Sequence, residues 1–390
     1  MKCKLGTLAA VKGGKRLPKG INLISTTNSH PYIRVRDLND QRTLELNSNY
    51  EFVDDETQKQ IARYIVQKGD IILSIVGTIG LVAMVGESLD NANLTENCVK
   101  IVATEKIDSK FLYYYLKSSK GQAEITRGIV GAVQAKLPIK NIQDIDVWLP
   151  RKDIQTKIDS LLSCLDDKIE LNNKINKNLE RQAFSLFHML ITEFGEQECQ
   201  VSDIAFLNPK RPLSKNQVAR YIDMSQLSTT GAFPSGWEKK PFTGGMRFSN
   251  GDTLLARITP CLENGKTAYI NFLNDEEVAF GSTEYIVLAP KSGVPSEFLY
   301  CLARYPEFVD YAVKNMNGSS GRQRVSADTI GRFVLRRPSQ RAMNDFESVT
   351  SCLFMEMKNH FFENLKISEL RDALLPKLMS GEIDVSTLRV

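Results

Sequence analysis

The sequence is poor in histidine and tryptophan, with three and two among 390 residues, and its seven cysteines (3, 98, 164, 199, 261, 301 and 352) form no Cys-x-x-Cys pair. That spacing does not support a zinc site, and reduced, mostly buried thiols are expected in place of disulfides. Charge of one sign is lacking as well: 50 Lys+Arg against 46 Asp+Glu leave +4. A uniformly basic nucleic-acid coat is excluded, so any basic surface is local. The strongest apolar stretch, Ile71 to Val85, is interrupted by Ser74, Gly77, Thr78 and Gly80 and is too short to span lipid. The first residues show no apolar core of a secretion signal, so a cytoplasmic chain without membrane contact is expected.

Common catalytic signatures are missing too. There is no Gly-x-Ser-x-Gly elbow, no His-Glu-x-x-His, no Gly-x-Gly-x-x-Gly opening a helix, and no Asn-Pro-Pro-Tyr/Phe stretch for holding a flipped base. Gly265-Lys266-Thr267 imitates the end of a P-loop, but Pro260 stands where the phosphate cradle requires glycine. The following AYINFL reads as strand, so no helix terminus faces an anion. A turn between strands is the better account. No catalytic residue, no metal site and no cofactor are expected in this chain.

What is present is a repeat. Tyr32-Ile-Arg-Val-Arg-Asp-Leu38 recurs as Tyr221-Ile-Asp-Met-Ser-Gln-Leu227, and Phe111-Leu-Tyr113 as Phe298-Leu-Tyr300. Gly69-Asp70 recurs as Gly251-Asp252, Thr95-Glu96 as Thr283-Glu284, and Ser163-Cys-Leu165 as Ser351-Cys-Leu353. Matches in one order at nearly constant offset indicate duplication. In each copy short strands and turns come first, with a short helix at FLYYYLKS (111–118) and FLYCLAR (298–304). After Pro150 no Gly or Pro occurs until Gly195, which predicts one long helix.

Apolar residues on alternating steps of three and four mark a narrow seam: Ile158, Leu161, Leu165, Ile175, Leu179, Leu186 and Met189, with Lys168, Asn172 and Gln182 as exceptions. The second copy shows Phe346, Val349, Leu353, Ile367, Leu370 and Leu374, with Glu356, His360, Glu363 and Lys377 as exceptions. A seam this narrow suits a partner helix, the other copy's; the plainer account packs each helix on its own globular body. The expected segments are 1–150 (mainly β), 151–194 (long helix), 195–337 (mainly β), 338–380 (long helix) and 381–390 (tail). The first four carry net charges of +4, 0, +2 and, with the tail included in the last, −2. Positive charge therefore sits on the globular halves.

Candidate DNA contacts fall at matching places. Lys15, Arg16 and Lys19 lie in a Gly/Pro loop before the first Tyr-Ile strand, and Lys210 and Arg211 lie before the second. Gln134 and Lys136 after Gly131 correspond to Ser319, Ser320, Arg322, Gln323 and Arg324 around Gly321. Such side chains on glycine-loosened loops reach phosphates and base edges, although solvated turns look the same in sequence. Arg34 and Arg36 flank Val35 and would share one strand face, with Asp223 and Ser225 as counterparts; pairing with Asp37 or Asp40 is the equal alternative. Thr78, Arg257 and Lys266 complete the candidate set.

These residues resemble the specificity subunit of type I restriction–modification systems. The resemblance covers nearly the whole chain. Its most specific parts are Gly69-Asp-Ile-Ile-Leu-Ser with Gly77-Thr-Ile-Gly80, the Leu149-Pro150 step with Leu165-Asp-Asp-Lys-Ile169, and Leu374-Leu-Pro-Lys-Leu-Met-Ser-Gly-Glu-Ile383. Arg151-Lys-Asp-Ile-Gln155 departs from the family's acidic-Gln pair after Pro, and Thr259-Pro260 stands where the first copy has Gly77-Thr78. The resemblance implies an α+β fold: two target-recognition domains with mainly β cores, two long helices paired as an antiparallel coiled coil, and a pseudo-two-fold repeat. It implies that each half reads one part of a split, asymmetric site in double-stranded DNA, that the helices set the gap, and that two modification and two restriction subunits join the chain. S-adenosylmethionine would belong to the modification partner, and ATP and Mg to the restriction partner. An autonomous enzyme around Gly265-Lys266, or an unrelated DNA-binding regulator or scaffold, are the alternatives.

Overall fold

Two glycine–aspartate turns open the central strand of each half. Gly69 and Gly251 take the left-handed backbone, φ 85° and 87°, which glycine alone adopts without penalty. The aspartates that follow turn inward: Asp70 accepts the Gln67 N–H at 2.9 Å and faces Lys100 at 3.4 Å, while Asp252 accepts the Ser249 N–H at 2.8 Å and pairs with Arg211. The strands they open, Ile71–Ser74 and Thr253–Ala256, are buried at every position, as expected for a strand covered on both faces.

The computed structural model describes residues 1–38, 41–131, 133–319 and 321–386. It divides into two units, Met1–Lys168 with Ile367–Val390, and Ile169–Lys366. The sequence segments follow the chain, whereas contacts cut across both long helices, because each helix packs against one body with its first part and the other body with its second.

In the first unit the main sheet runs in the order Ala9–Gly13, Cys98–Ala103, Ile71–Ser74, Val82–Val85, Thr43–Leu44. The second unit repeats four of these as Ala205–Leu207, Tyr285–Pro290, Thr253–Ala256, Thr267–Tyr269. A smaller sheet accompanies each, and in both its Tyr-Ile strand (Pro31–Ile33, Val218–Ile222) lies parallel to a later strand, pairing Tyr32 with Asn93 and Tyr221 with Phe280. The shared strand order is the structural form of the sequence repeat.

The aromatic helices sit against these sheets. Asp108 caps Ser109–Lys117 by accepting the Lys110 and Phe111 N–H groups, at 2.9 and 3.1 Å. Phe111 to Leu116 are all buried there, and Phe298 to Ala303 are all buried in Ser296–Ala303. A helix apolar on every side must be covered on every side. The sheet covers one face and a long helix another.

The long helices span Lys152–Glu193 and Gln340–Ser380. In the first unit they meet where Arg371 pairs with Asp166 at 2.9 Å. In the second unit they meet in a polar layer. Asn172, fully buried, donates to Glu363 at 2.7 Å and to Asn364 at 2.8 Å, and His360 Nδ1 lies 2.8 Å from Asn176 Oδ1. Residues 172 and 360, and 176 and 364, are 188 apart, so these two contacts exchange under the repeat.

The buried stripe is not the narrow seam counted from apolar residues. It lies one residue further along both helices: Leu162, Asp166, Glu180, Ala183, Phe187 and Leu190 in the first, Thr350, Phe354, Met357 and Leu378 in the second. Ile158 and Phe346 are buried, whereas Leu161, Leu165, Ile175, Leu179, Leu186, Leu353, Ile367 and Leu374 are only half-buried. Val349 and Leu370 are corrected outright, being 47% and 49% exposed, as is Met189 at 42%. The face against the globular body buries more than the helix-to-helix face, and it accepts polar residues wherever the body supplies a partner. Both packing accounts thus hold for different faces of one helix.

All seven cysteines are free. Only Cys98 and Cys301 are buried, which corrects the expectation of mostly buried thiols; Cys164 and Cys352 are exposed on the long helices. No helix among the described residues is long and apolar enough to cross a membrane.

Candidate nucleic-acid interface

The repeat builds one loop cluster twice. In the first unit Lys136 exchanges backbone hydrogen bonds with Val130, both 2.9 Å, and the Leu137 N–H donates to the Ile75 carbonyl at 3.0 Å. In the second, Arg324 exchanges 2.9 Å bonds with Asn317, and the Val325 N–H donates to the Arg257 carbonyl at 3.0 Å. These necks hold the ends of loops 131–135 and 318–323 against the ends of the central strands. Ser74 Oγ pins the neighbouring turn by donating to the Thr78 carbonyl at 2.6 Å and accepting the Leu81 N–H at 2.9 Å.

A Thr-Glu corner borders each neck. In the first unit the Gly14 and Lys15 N–H groups bond to Cys98 and Leu94 carbonyls at 3.0 and 2.8 Å, laying the basic loop across Thr95-Glu96. A Cβ on Gly14 would stand 2.0 Å from the Thr95 carbonyl oxygen, so only glycine permits this approach. Arg16 Nε then donates to Glu96 at 2.7 Å, and Lys15 Nζ lies 5.6 Å over the Tyr64 ring. In the second unit the arginine comes from the other loop. Arg324 grips Glu284 with Nε at 2.9 Å and Nη2 at 2.7 Å. Hydrogen bonding from Arg324, aided by the charge of Arg257, holds the Glu284 carboxyl below the usual carboxylate range against the opposing effect of burial. Arg257 Nε is buried with no partner among the described residues.

The candidate contacts therefore separate. Lys19, Thr78, Gln134, Lys136, Lys210, Ser319 and Arg322 are exposed and have no side-chain partner among the described residues. Gln323 is half-buried, its carbonyl accepting the Thr259 N–H at 3.1 Å. Ser320 lies outside the described residues, as does Asp40. Three sets of candidates have partners inside the protein. Arg211 is the internal counterion of Asp252, whose burial would otherwise strand a charge. Lys266 Nζ donates to the Met224 carbonyl at 2.9 Å, and Thr267 opens a strand paired with Thr253–Ala256, so the GKT sequence is a strand turn with its lysine engaged. Arg34 and Arg36 do not share a strand: the strand ends at Ile33 and Val35–Asp37 is a 3-10 turn. Arg34 is tied to Asp37 at 3.1 Å and to Glu51, while Arg36 reaches Glu51 at 2.6 Å and stays largely exposed. Asp37 accepts the Arg34 N–H as well, a turn closure that outweighs the extended preference of Val35.

Other basic groups carried no sequence signal. Lys240 stacks 4.5 Å over Tyr221, and Arg247 lies 5.7 Å from Phe242, on the smaller sheet of the second unit. Glu96 and Glu284 were visible as a repeat, but their partners were not, since Arg16 and Arg324 lie 80 and 40 residues away.

A duplicated mainly β body with exposed polar and basic loops, each copy leading into a long helix, defines a class of helix-linked two-domain proteins. Residues 1–181 match the family described as the type I restriction modification DNA specificity domain. The chain is 22% identical to the type I restriction enzyme HindI specificity subunit of Haemophilus influenzae, covering 83% of this chain and 88% of that one. It is 23% identical to the MjaIX specificity subunit of Methanocaldococcus jannaschii, covering 92% and 88%. The fold matches a crystal structure of the type I restriction–modification S subunit from M. genitalium with a TM-score of 0.55 at 18% identity, covering 97% of this chain and 95% of that one. Residues 1–181 thus match the DNA specificity domain, and the chain over most of its length is similar to type I restriction–modification specificity subunits.

Proposed function

We propose that this chain gives a type I restriction–modification complex its DNA sequence specificity, with each globular half reading one part of a bipartite, asymmetric site in double-stranded DNA. The observation that carries this reading is the duplicated loop cluster: one backbone framework presents Gln134 and Lys136 in one unit and Arg322, Gln323 and Arg324 in the other. A common frame with different polar side chains is what two readers of different sequences need. The helical segments set the unread gap and dock two modification subunits, to which two restriction subunits are added, in the cytoplasm. The chain itself is non-catalytic; methyl transfer from S-adenosylmethionine belongs to the modification partner, and ATP- and Mg-dependent work to the restriction partner. A two-fold related helix pair can offer identical partners equivalent surfaces although the DNA read is asymmetric.

The test is reconstitution. The purified chain alone should neither methylate DNA nor hydrolyse nucleotide, and adding modification subunits should yield methylation at one two-part sequence. Exchange of residues 1–150 for those of a relative should alter one half of that sequence and leave the other intact. An unaltered target after the exchange would eliminate the two-reader account.

A further inference from the structure

The corner carboxylate is the charged feature that both units keep while changing its partner. Glu96 and Glu284 stand 188 residues apart, each after a threonine, yet Arg16 reaches Glu96 from the loop ahead of the Tyr-Ile strand and Arg324 reaches Glu284 from the loop ahead of Val325. A carboxylate near DNA phosphates is electrostatically unfavourable, so its retention on this face calls for a compensating use. Guanidinium geometry offers one. Its five N–H donors lie on a rigid planar fork, and a carboxylate holding the Nε–Nη2 edge leaves the Nη1–Nη2 edge turned away from it. That edge matches the O6 and N7 acceptors of guanine. In the second unit one Nη1 hydrogen goes to the Arg322 carbonyl at 3.2 Å, which fixes the plane further. The Arg257 N–H donates to the Glu284 carbonyl at 3.0 Å and its charge acts on the same carboxylate, its Nε buried without a partner among the described residues, whereas the equivalent place in the first unit is Ile75.

We propose that Glu284 and Glu96 are positioning residues for guanine reading, holding Arg324 and Arg16 respectively with one donor edge outward; this rests on the DNA-reading function proposed above. Because the two arginines come from different loops, the guanines occupy different places within the two half-sites. Arg257 adds a second cation in the second unit only, so that unit keeps excess positive charge after the carboxylate is matched.

The full chain, assembled with modification subunits, is offered a randomised duplex library as wild type, Glu284→Gln, Arg324→Ala and the double variant. Glutamine keeps the size of the side chain but carries no charge and accepts through one oxygen only. Glu284→Gln should lower the preference for guanine at one position of one half-site by between about fivefold and a hundredfold. The other half-site and the affinity for unrelated duplex should not fall, and the variant should add nothing in the Arg324→Ala background. Glu96→Gln should produce the same loss in the opposite half-site. If Glu284→Gln keeps every base preference and only binds all duplexes more tightly, the carboxylate is a mere repulsive charge and the inference is overturned. Loss of both half-sites together with a lowered melting temperature assigns Glu284 to folding and overturns it too. A wild-type assembly that enriches no sequence overturns the DNA-reading function itself.

Discussion

The first long helix meets its globular body through a charge, and the second meets its own through a ring. Asp166, buried, accepts the Tyr114 hydroxyl at 2.7 Å and faces Arg371 at 2.9 Å. The residue 188 later is Phe354, whose ring packs 5.1 Å from Tyr269 and 5.5 Å from Tyr300. The second unit moves its acid to another turn, where Glu180 takes the Tyr300 hydroxyl. A duplicated backbone has therefore kept its strand order and its aromatic helix while changing how the helix is anchored. Topology tolerates either an apolar wedge or a satisfied polar lock at one position, provided no buried donor or acceptor is left alone.

The comparison breaks most strongly at Phe354. Phe354→Ala removes a fully buried ring and should destabilise the second unit by about 3–5 kcal/mol, measured by urea denaturation. A loss below about 1 kcal/mol would show that the site collapses around the gap. Asp166→Leu tests the other anchor and should destabilise by about 2–3 kcal/mol, since Tyr114 and Arg371 lose their shared acceptor. Adding Tyr114→Phe should recover part of that loss, because the stranded hydroxyl is removed. No recovery would place the effect on Arg371 alone.

The same anchors show why the seam was legible only to within one residue. Counting apolar residues finds Leu161, Leu165, Leu179 and Leu186, but the buried stripe includes Asp166 and Glu180, and Asn172 is buried on the counted seam itself; no hydropathy pattern selects these polar residues. Their burial is permitted by Arg371, Asn364 and Tyr300, up to 205 residues away in sequence. The repeat, the central strands and the aromatic helices were readable because each rests on local signals: turn glycines, apolar runs and a helix free of Gly and Pro. The candidate interface was readable as loops and not as contacts. Lys136 and Arg322 stand out in the structure as they do in the sequence, but Arg211 and Lys266 look identical to them until Asp252 and the Met224 carbonyl are brought alongside.

Asp252 sharpens the contrast by pH. Burial pushes its carboxyl from an ordinary 3.8 up to about 6, with Ser249 and Arg211 opposing the rise. Between those values the folded chain retains a proton that the unfolded chain releases. Stability contributed by this group is thus full below about pH 4 and is lost as pH rises through about 6, by about 2–3 kcal/mol in all. Urea midpoints across pH 4 to 7.5 should show this fall, and Asp252→Asn should flatten it. An unchanged pH dependence in the variant would mean that Arg211 fully stabilises the charged form.

The smallest effects belong to the exposed loops, where the two units should behave alike. Lys136→Ala and Arg322→Ala remove cations that no described side chain engages. If each touches one phosphate, affinity should weaken for all sequences and the slope of log K against log salt should shrink by about 0.9 for each substitution. Arg324→Ala should differ in kind: its guanidinium is already matched by Glu284, so the salt slope should change less while base preference changes more. Equal salt slopes for Arg322→Ala and Arg324→Ala would mean that the Glu284 pairing opens on binding, and that the corner carboxylate, for all its repetition, leaves Arg324 free to act as a phosphate contact.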